Sequence, residues 1–344
     1  MSPVSPSESP APEGEPSLLP RRDPGPLVLR GKARARRRRI ALISTLIAIV
    51  VLIAGGIPFV NTHVLVFHQV GIGPLHLFPV GAVSPLPLTE YRLSTPFASP
   101  SDIIRGPDGA LYFIEDGQGK IGRIAPGGTI TEMALPAGAN ASGIAFGSDG
   151  ALWFTDSSAN TVGRLTLQGQ ATEYALPVID SQPSSITLGS DGALWFTEIV
   201  NIGRITTDGH ISEFRMSEGS GPTAITTGRD GNLWFTDFAR GTINRLTPTG
   251  QFTAFALPKG AQAGSITVGP DGALWYLDVR QNQIGRMTTT GQANEYSIPT
   301  NRVTLTGITT GPDGALWFTE FYAGTVGRIT LDGDVSEYAL PVFA

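Results

Sequence analysis

The stretch "DGALWFTE" occupies residues 191–198 and recurs unchanged at 313–320. Near copies stand at 108–115 (DGALYFIE), 149–156 (DGALWFTD), 230–237 (DGNLWFTD) and 271–278 (DGALWYLD). The Asp-Gly pairs begin at Asp108, Asp149, Asp191, Asp230, Asp271 and Asp313, at intervals of 41, 42, 39, 41 and 42 residues. A period near 40 residues, sustained over several copies, marks a repeat architecture.

Every unit has the same internal order. An apolar segment such as "SGIAFG" precedes the Asp-Gly pair and "ALWFT"; "TVGRLT", a second Gly turn and "ATEYALP" follow. The segments are short, rich in β-branched and aromatic residues, and bounded by Gly, Pro or Asp, which reads as strands joined by hairpins. No helical spacing of apolar residues persists after Val60. Four short antiparallel strands per unit describe a propeller blade, so the fold class is all-β.

Side chains alternate faces along a strand, which sends Leu152 and Phe154 one way and Trp153 and Thr155 the other. A blade is covered on both faces by its neighbours, so both sets are expected inside, with the Trp filling the wedge that widens away from the axis. Six complete units run from about Ser99 to Pro341. A further copy of the last strand, "LTEYRLS" at 88–94, precedes them. We expect six blades with a surplus N-terminal strand; the alternative is seven, with 64–93 as a degenerate blade.

The chain before the repeats differs in kind. Residues 1–39 are rich in Pro and Ser and lack an apolar period, the composition of a disordered tail. Ile40–Val60 is 21 residues without a charge, long enough to cross a bilayer as a helix. "RGKARARRRR" precedes it, and clustered arginines stay cytoplasmic. The expectation is one transmembrane signal-anchor at 40–60, a juxtamembrane linker at 61–87 and an extracytoplasmic propeller at 88–344. A cleaved signal peptide is the rival reading.

Of 24 Lys/Arg and 29 Asp/Glu, nine and four lie before residue 40, leaving 15 and 25 and a net charge of −10 for the rest. An acidic domain lacks the footprint for phosphate backbones, which excludes nucleic acid as the expected partner. The absence of cysteine excludes disulfides and thiolate chemistry.

The repeat "GPDGALWFTE…VGRIT…G…SEYALP", spread over about 255 residues, resembles the virginiamycin B lyase (streptogramin lyase) family. The resemblance implies a seven-bladed propeller that opens a cyclic depsipeptide antibiotic by elimination across its ester, assisted by Mg²⁺. It further implies histidines early in the innermost strands of late blades, and a glutamate after a "WF" pair in the last blade. The histidine positions here carry Ser101, Ser142, Ser184, Thr223, Gly264 and Thr306. The glutamate position falls on Glu320, but Glu115, Asp156, Glu198, Asp237 and Asp278 occupy it in the other blades.

A residue repeated in every unit does not mark a single asymmetric site. Arg123, Arg164, Arg204, Arg245, Arg286 and Arg328 recur in the third strands, and we expect each to brace its hairpin against the strand-two acid, as Arg164 against Asp156. Binding residues are sought where the units differ. Loops between strands two and three share a face with the connections between blades, and they present Lys120, Phe238, Arg240, Arg280, Phe321 and Tyr322. Ser101, Ser142, Ser184, Thr223 and Thr306 should form a near-ring of hydroxyls at the channel mouth on that face.

Three functions follow as expectations. The first is a membrane-anchored propeller that binds a small-molecule, peptidic or cell-envelope ligand without the family's catalytic histidines. The second is an active lyase working through Glu320 with Mg²⁺, and the third a protein-interaction scaffold. His210 lies in a Gly turn on the opposite face, while His63, His68 and His76 follow the apolar segment.

Overall fold

A computed structural model describes residues 51–53, 63–66, 88–91, 93, 95, 98–301, 303–321 and 323–340. Six four-stranded antiparallel sheets, each paired in chain order, make up the propeller. The first blade is Ser99–Arg105, Leu111–Asp116, Lys120–Ile124 and Ile130–Ala134; the sixth is Leu305–Thr310, Leu316–Glu320, Thr325–Ile329 and Val335–Ala339. Innermost strands of consecutive blades pack side by side from the first to the sixth, whereas no packing of that extent joins Leu305–Thr310 to Ser99–Arg105.

The register explains the letters. In the second blade Trp153 stands opposite Arg164 and Phe154 opposite Gly163. A Cβ on Gly163 would fall 2.0 Å from the Phe154 ring, and Gly122, Gly203, Gly285 and Gly327 meet their blades' rings in the same way. In these five blades the aromatic occupies the space a side chain would need, so glycine is the residue that fits; the fourth blade alone places Asn244 opposite its Phe235. The Asp-Gly turns use the second freedom of glycine: Gly150 and Gly192 have φ of 73° and 78°, a region costly for other residues.

Both faces of "LWFT" are buried, as alternation requires. Trp153, Val162 and Leu176 pack against Leu194, Phe196 and Ile205 of the next blade. Each Trp also stacks on an aromatic of its own fourth strand, as Trp153 on Tyr174 at 5.6 Å and Trp195 on Phe214 at 5.0 Å. The aromatic wedge between blades is thus a pair of rings, not one.

The expected brace is corrected. Arg164 does not reach Asp156, because the register places Thr161 opposite that acid and sets the arginine three residues further toward the Asp-Gly turn. Its Nε donates instead to Asp149 Oδ2 at 2.6 Å. Equivalent pairs join Arg123–Asp108, Arg204–Asp191, Arg286–Asp271 and Arg328–Asp313. The other oxygen of these aspartates accepts the Trp indole N–H in four blades, as Trp195 to Asp191 at 3.0 Å. The fourth blade departs: Asn232 donates to Asp230 Oδ2 at 2.9 Å, and Arg245 lies over Trp234 and Phe255.

The surplus strand, Leu88–Glu90, pairs in parallel with His63–Val66, which pairs antiparallel with Val51–Ile53. This three-stranded sheet is not the four-stranded meander of a complete blade. Just beyond it Tyr91 lies 2.7 Å from the place of a Cβ on Gly128, as Tyr296 does at Gly333 and Tyr174 at Gly209. Tyr91 thus holds, against the first blade, the position of a preceding blade's fourth-strand aromatic. The expectations for 1–39 and for the span at 40–60 fall outside the described residues, Val51–Ile53 excepted. Among the described residues no helix is long and apolar enough to cross a membrane.

Candidate functional site

The acid that closes each second strand separates into two kinds. Asp156, Asp237 and Asp278 are short enough to turn back on their own hairpins and on the preceding interblade loop. Asp156 accepts the N–H groups of Asn140, Ser158 and Ala159 at 2.7, 2.9 and 2.9 Å. Asp278 does the same for Gln262, Arg280 and Gln281 at 3.0, 3.0 and 3.1 Å. These carboxylates tie loop to blade.

Glu115, Glu198 and Glu320 are one methylene longer and miss those donors. Each approaches a second carboxyl on its fourth strand: Glu132, Glu213 and Glu337 respectively; Asp278 meets Glu295 as well, in addition to its backbone donors. Glu320 is 1% exposed; Thr325 donates to its Oε2 at 2.8 Å, and Oε1 meets no hydrogen-bond partner. Burial, together with the charge of Glu337, raises its carboxyl to about 7 although Thr325 opposes the shift. Glu198 is raised to about 7 as well, by burial and then by Glu213, with the side chain of Asn201 opposing the shift. A carboxyl raised toward neutrality suits acid–base chemistry, but two blades provide it alike and both carboxyls are buried. Glu320 is not set apart by its environment.

Among the described residues no three His, Cys, Asp or Glu side chains converge as a metal-binding group. Glu320 has one carboxyl neighbour, Glu337, and a hydroxyl, Thr325; these oxygens could hold Mg²⁺ together with water, which the ion largely retains.

The loop face holds the expected residues unequally. Phe238, Arg240 and Arg280 are exposed there, with the Arg240 guanidinium donating to the Glu218 carbonyl. Lys120 is engaged: its Nζ lies 2.6 Å from Glu132 and 2.9 Å from Thr95 Oγ1. Phe321 is half-buried, and its N–H donates to the Thr304 carbonyl at 2.9 Å. Tyr322 lies outside the described residues.

The hydroxyls do begin the innermost strands, and several are held by neighbours. Thr223 and Thr306 bond Thr236 and Thr319 at 2.7 and 2.6 Å, and Ser142 bonds Ser157 at 3.1 Å. Ser184 is exposed and Ser101 half-buried. The strand-two threonines reach on to the next blade as well: Thr197 and Thr236 donate to the carbonyls of Thr223 and Gly264 at 3.0 and 2.8 Å. The ring hydroxyls of Ser142, Thr223 and Thr306 are thus engaged within their own blades, while the bonds between blades run from strand-two threonines to backbone carbonyls. His210 sits beside Asp208 and Gly209 in a turn at the other end of the blade, where its N–H donates to Thr206 Oγ1 at 3.0 Å.

One residue escaped the sequence reading. Asp102 follows Ser101 in the first innermost strand, where the other five blades carry Gly143, Ser185, Ala224, Ser265 and Gly307. The signal was present as the sole acid at that position.

No curated protein matches the chain. Solved structures do. A streptogramin B lyase structure is 40% identical with a TM-score of 0.70, covering 74% of this chain and 87% of its own. A catalytically inactive histidine-to-alanine variant of virginiamycin B lyase from Staphylococcus aureus, with quinupristin, is 39% identical with a TM-score of 0.70, covering 73% and 87%. The selenomethionine form of the Staphylococcus aureus enzyme is 39% identical with a TM-score of 0.68, covering 71% and 85%. The model of the Virginiamycin B lyase family matches residues 86–219 and 200–344, taking in every blade. By its repeat, its blades and these matches, the chain belongs to the virginiamycin B lyase family.

Proposed function

We propose that this protein is a membrane-tethered propeller that binds a cyclic or other peptidic small molecule at its loop face and leaves the ring intact. The observation that carries this is the chemistry of the innermost strands. Their histidine positions hold Ser, Thr or Gly, and two of the hydroxyls are bonded to strand-two threonines. A relative inactivated by loss of one histidine supports the inference that a scaffold without such histidines binds and does not turn over. Phe238 and the two exposed arginines suit a planar or peptidic ligand. The arginine-led apolar run at Ile40–Val60 supports tethering with the propeller outside the cytoplasm.

The test is quinupristin incubated with the full chain in detergent micelles and Mg²⁺, chromatography resolving intact from opened ring. Retention of intact compound is expected. Ring opening that disappears in Glu320→Gln would establish the second reading, a lyase, which the near-neutral carboxyl of Glu320 favours.

A further inference from the structure

Asp102 differs from its counterparts in conformation, in charge and in what it is needed for. The register of the first two strands shifts between Ser101 and Ile103, leaving Asp102 without a partner across the ladder. The same shift recurs between Pro222 and Ile225, Ala263 and Ile266, and Leu305 and Ile308 in the fourth, fifth and sixth blades, so the bulge belongs to the blade and the backbone angle and charge are what set Asp102 apart. Its φ is 24°, and it alone among the non-glycine residues of positive φ described here lies inside a strand. Such outliers persist where surrounding structure enforces them.

The charge is not required by the bond it makes. Asp102 Oδ2 accepts the Ile144 N–H of the next blade at 2.8 Å. Two blades on, Ser185 Oγ accepts the Ile225 N–H at 3.2 Å, so a neutral hydroxyl serves the same seam. Asp102 is half-buried as a residue, and its carboxyl is desolvated by the packing around it. No charged side chain is among the groups that perturb it; burial acts first, opposed by the N–H groups of Ile144 and Ile103.

We infer that Asp102 is a recognition residue that takes the primary ammonium group of a ligand at the channel mouth. This rests on the reading of the loop face as the ligand side and names the ligand's charge. An ammonium offers three N–H donors, one for the carboxylate and the others for water or for acceptors on the ligand itself. A guanidinium is less suited, since its two-pronged approach wants both oxygens and Oδ2 is engaged. A divalent cation lacks converging carboxylates here.

The experiment is calorimetric titration of the full chain in micelles with n-butylammonium, n-butanol and Mg²⁺. Saturable binding of the amine is expected, with affinity at least tenfold lower in Asp102→Ser and unchanged in Ser185→Ala. Affinity should fall as pH drops below about 6, where the raised carboxyl takes up its proton. Asp102→Asn, which tolerates positive φ, provides the same comparison should the serine variant not fold. Equal affinity in both Asp102 variants, no saturable binding by the unaltered chain, equal uptake of n-butanol, or displacement of the amine by micromolar Mg²⁺ would each overturn the assignment. Quinupristin binding, titrated calorimetrically in parallel, reads the ligand-binding proposal separately. Its persistence alongside failed amine binding discards Asp102 alone.

Discussion

A single methylene decides the behaviour of the acids that end the second strands. Aspartate at 156, 237 and 278 finds backbone donors, which satisfy Asp278 even beside Glu295; glutamate at 198 and 320 overshoots them and is left beside another carboxyl without them. Burial lifts Glu198 and Glu320 from an ordinary 4.5 to about 7, so the fold favours their protonated forms. Such groups add stability that is complete below about 4.5 and is lost as pH rises toward about 7. The melting temperature should therefore fall between pH 5 and pH 8 in scanning calorimetry, and Glu198→Gln should remove part of that fall. A variant whose melting keeps the full pH dependence would show that the Glu198 carboxyl ionises without penalty. That these residues are acids was legible; that they pair as carboxyls was not, because the partner comes from a strand 15 or 17 residues further on.

At the scale of the blade, area and charge contribute unequally. Trp195 is wholly buried against Phe214 and the next blade, and Trp195→Ala should cost about 3–5 kcal/mol. Arg204, directly opposite Trp195 across the hairpin, forms a partly exposed ion pair with Asp191; Arg204→Ala should cost about 1 kcal/mol or less. Urea unfolding of the two variants checks the contrast, and comparable losses would make the brace rather than the wedge the principal support. The wedge and the hairpins were readable from the letters, since alternation and Asp-Gly turns are local. The partner of each arginine was misread by sequence proximity: the antiparallel register brings residue 164 back beside 149, at the far end of the hairpin from 156.

For the whole molecule, the surplus strand matters more than its length suggests. Tyr91 and Leu93 join Leu111, Phe113 and Ile124 on the flank of the first blade, and Thr95 bonds Lys120 where Thr300 bonds Glu337 in the sixth. Tyr91→Ala should destabilise the propeller by about 1–3 kcal/mol, read as a lower urea midpoint with an unchanged slope. An unaltered midpoint would make the strand an appendage.

The chain's letters alone determined a six-fold repeat of four-stranded antiparallel sheets, the buried aromatics and the face that carries the variable loops, because each follows from periods of two and about 40 residues. Tertiary structure decided the rest: which arginine meets which aspartate, which hydroxyls are already engaged, which glutamates lie together, and that one aspartate stands in a bulge at the mouth. Those depend on strands brought side by side from separate hairpins and separate blades, and a distance set by folding leaves no trace in residue spacing.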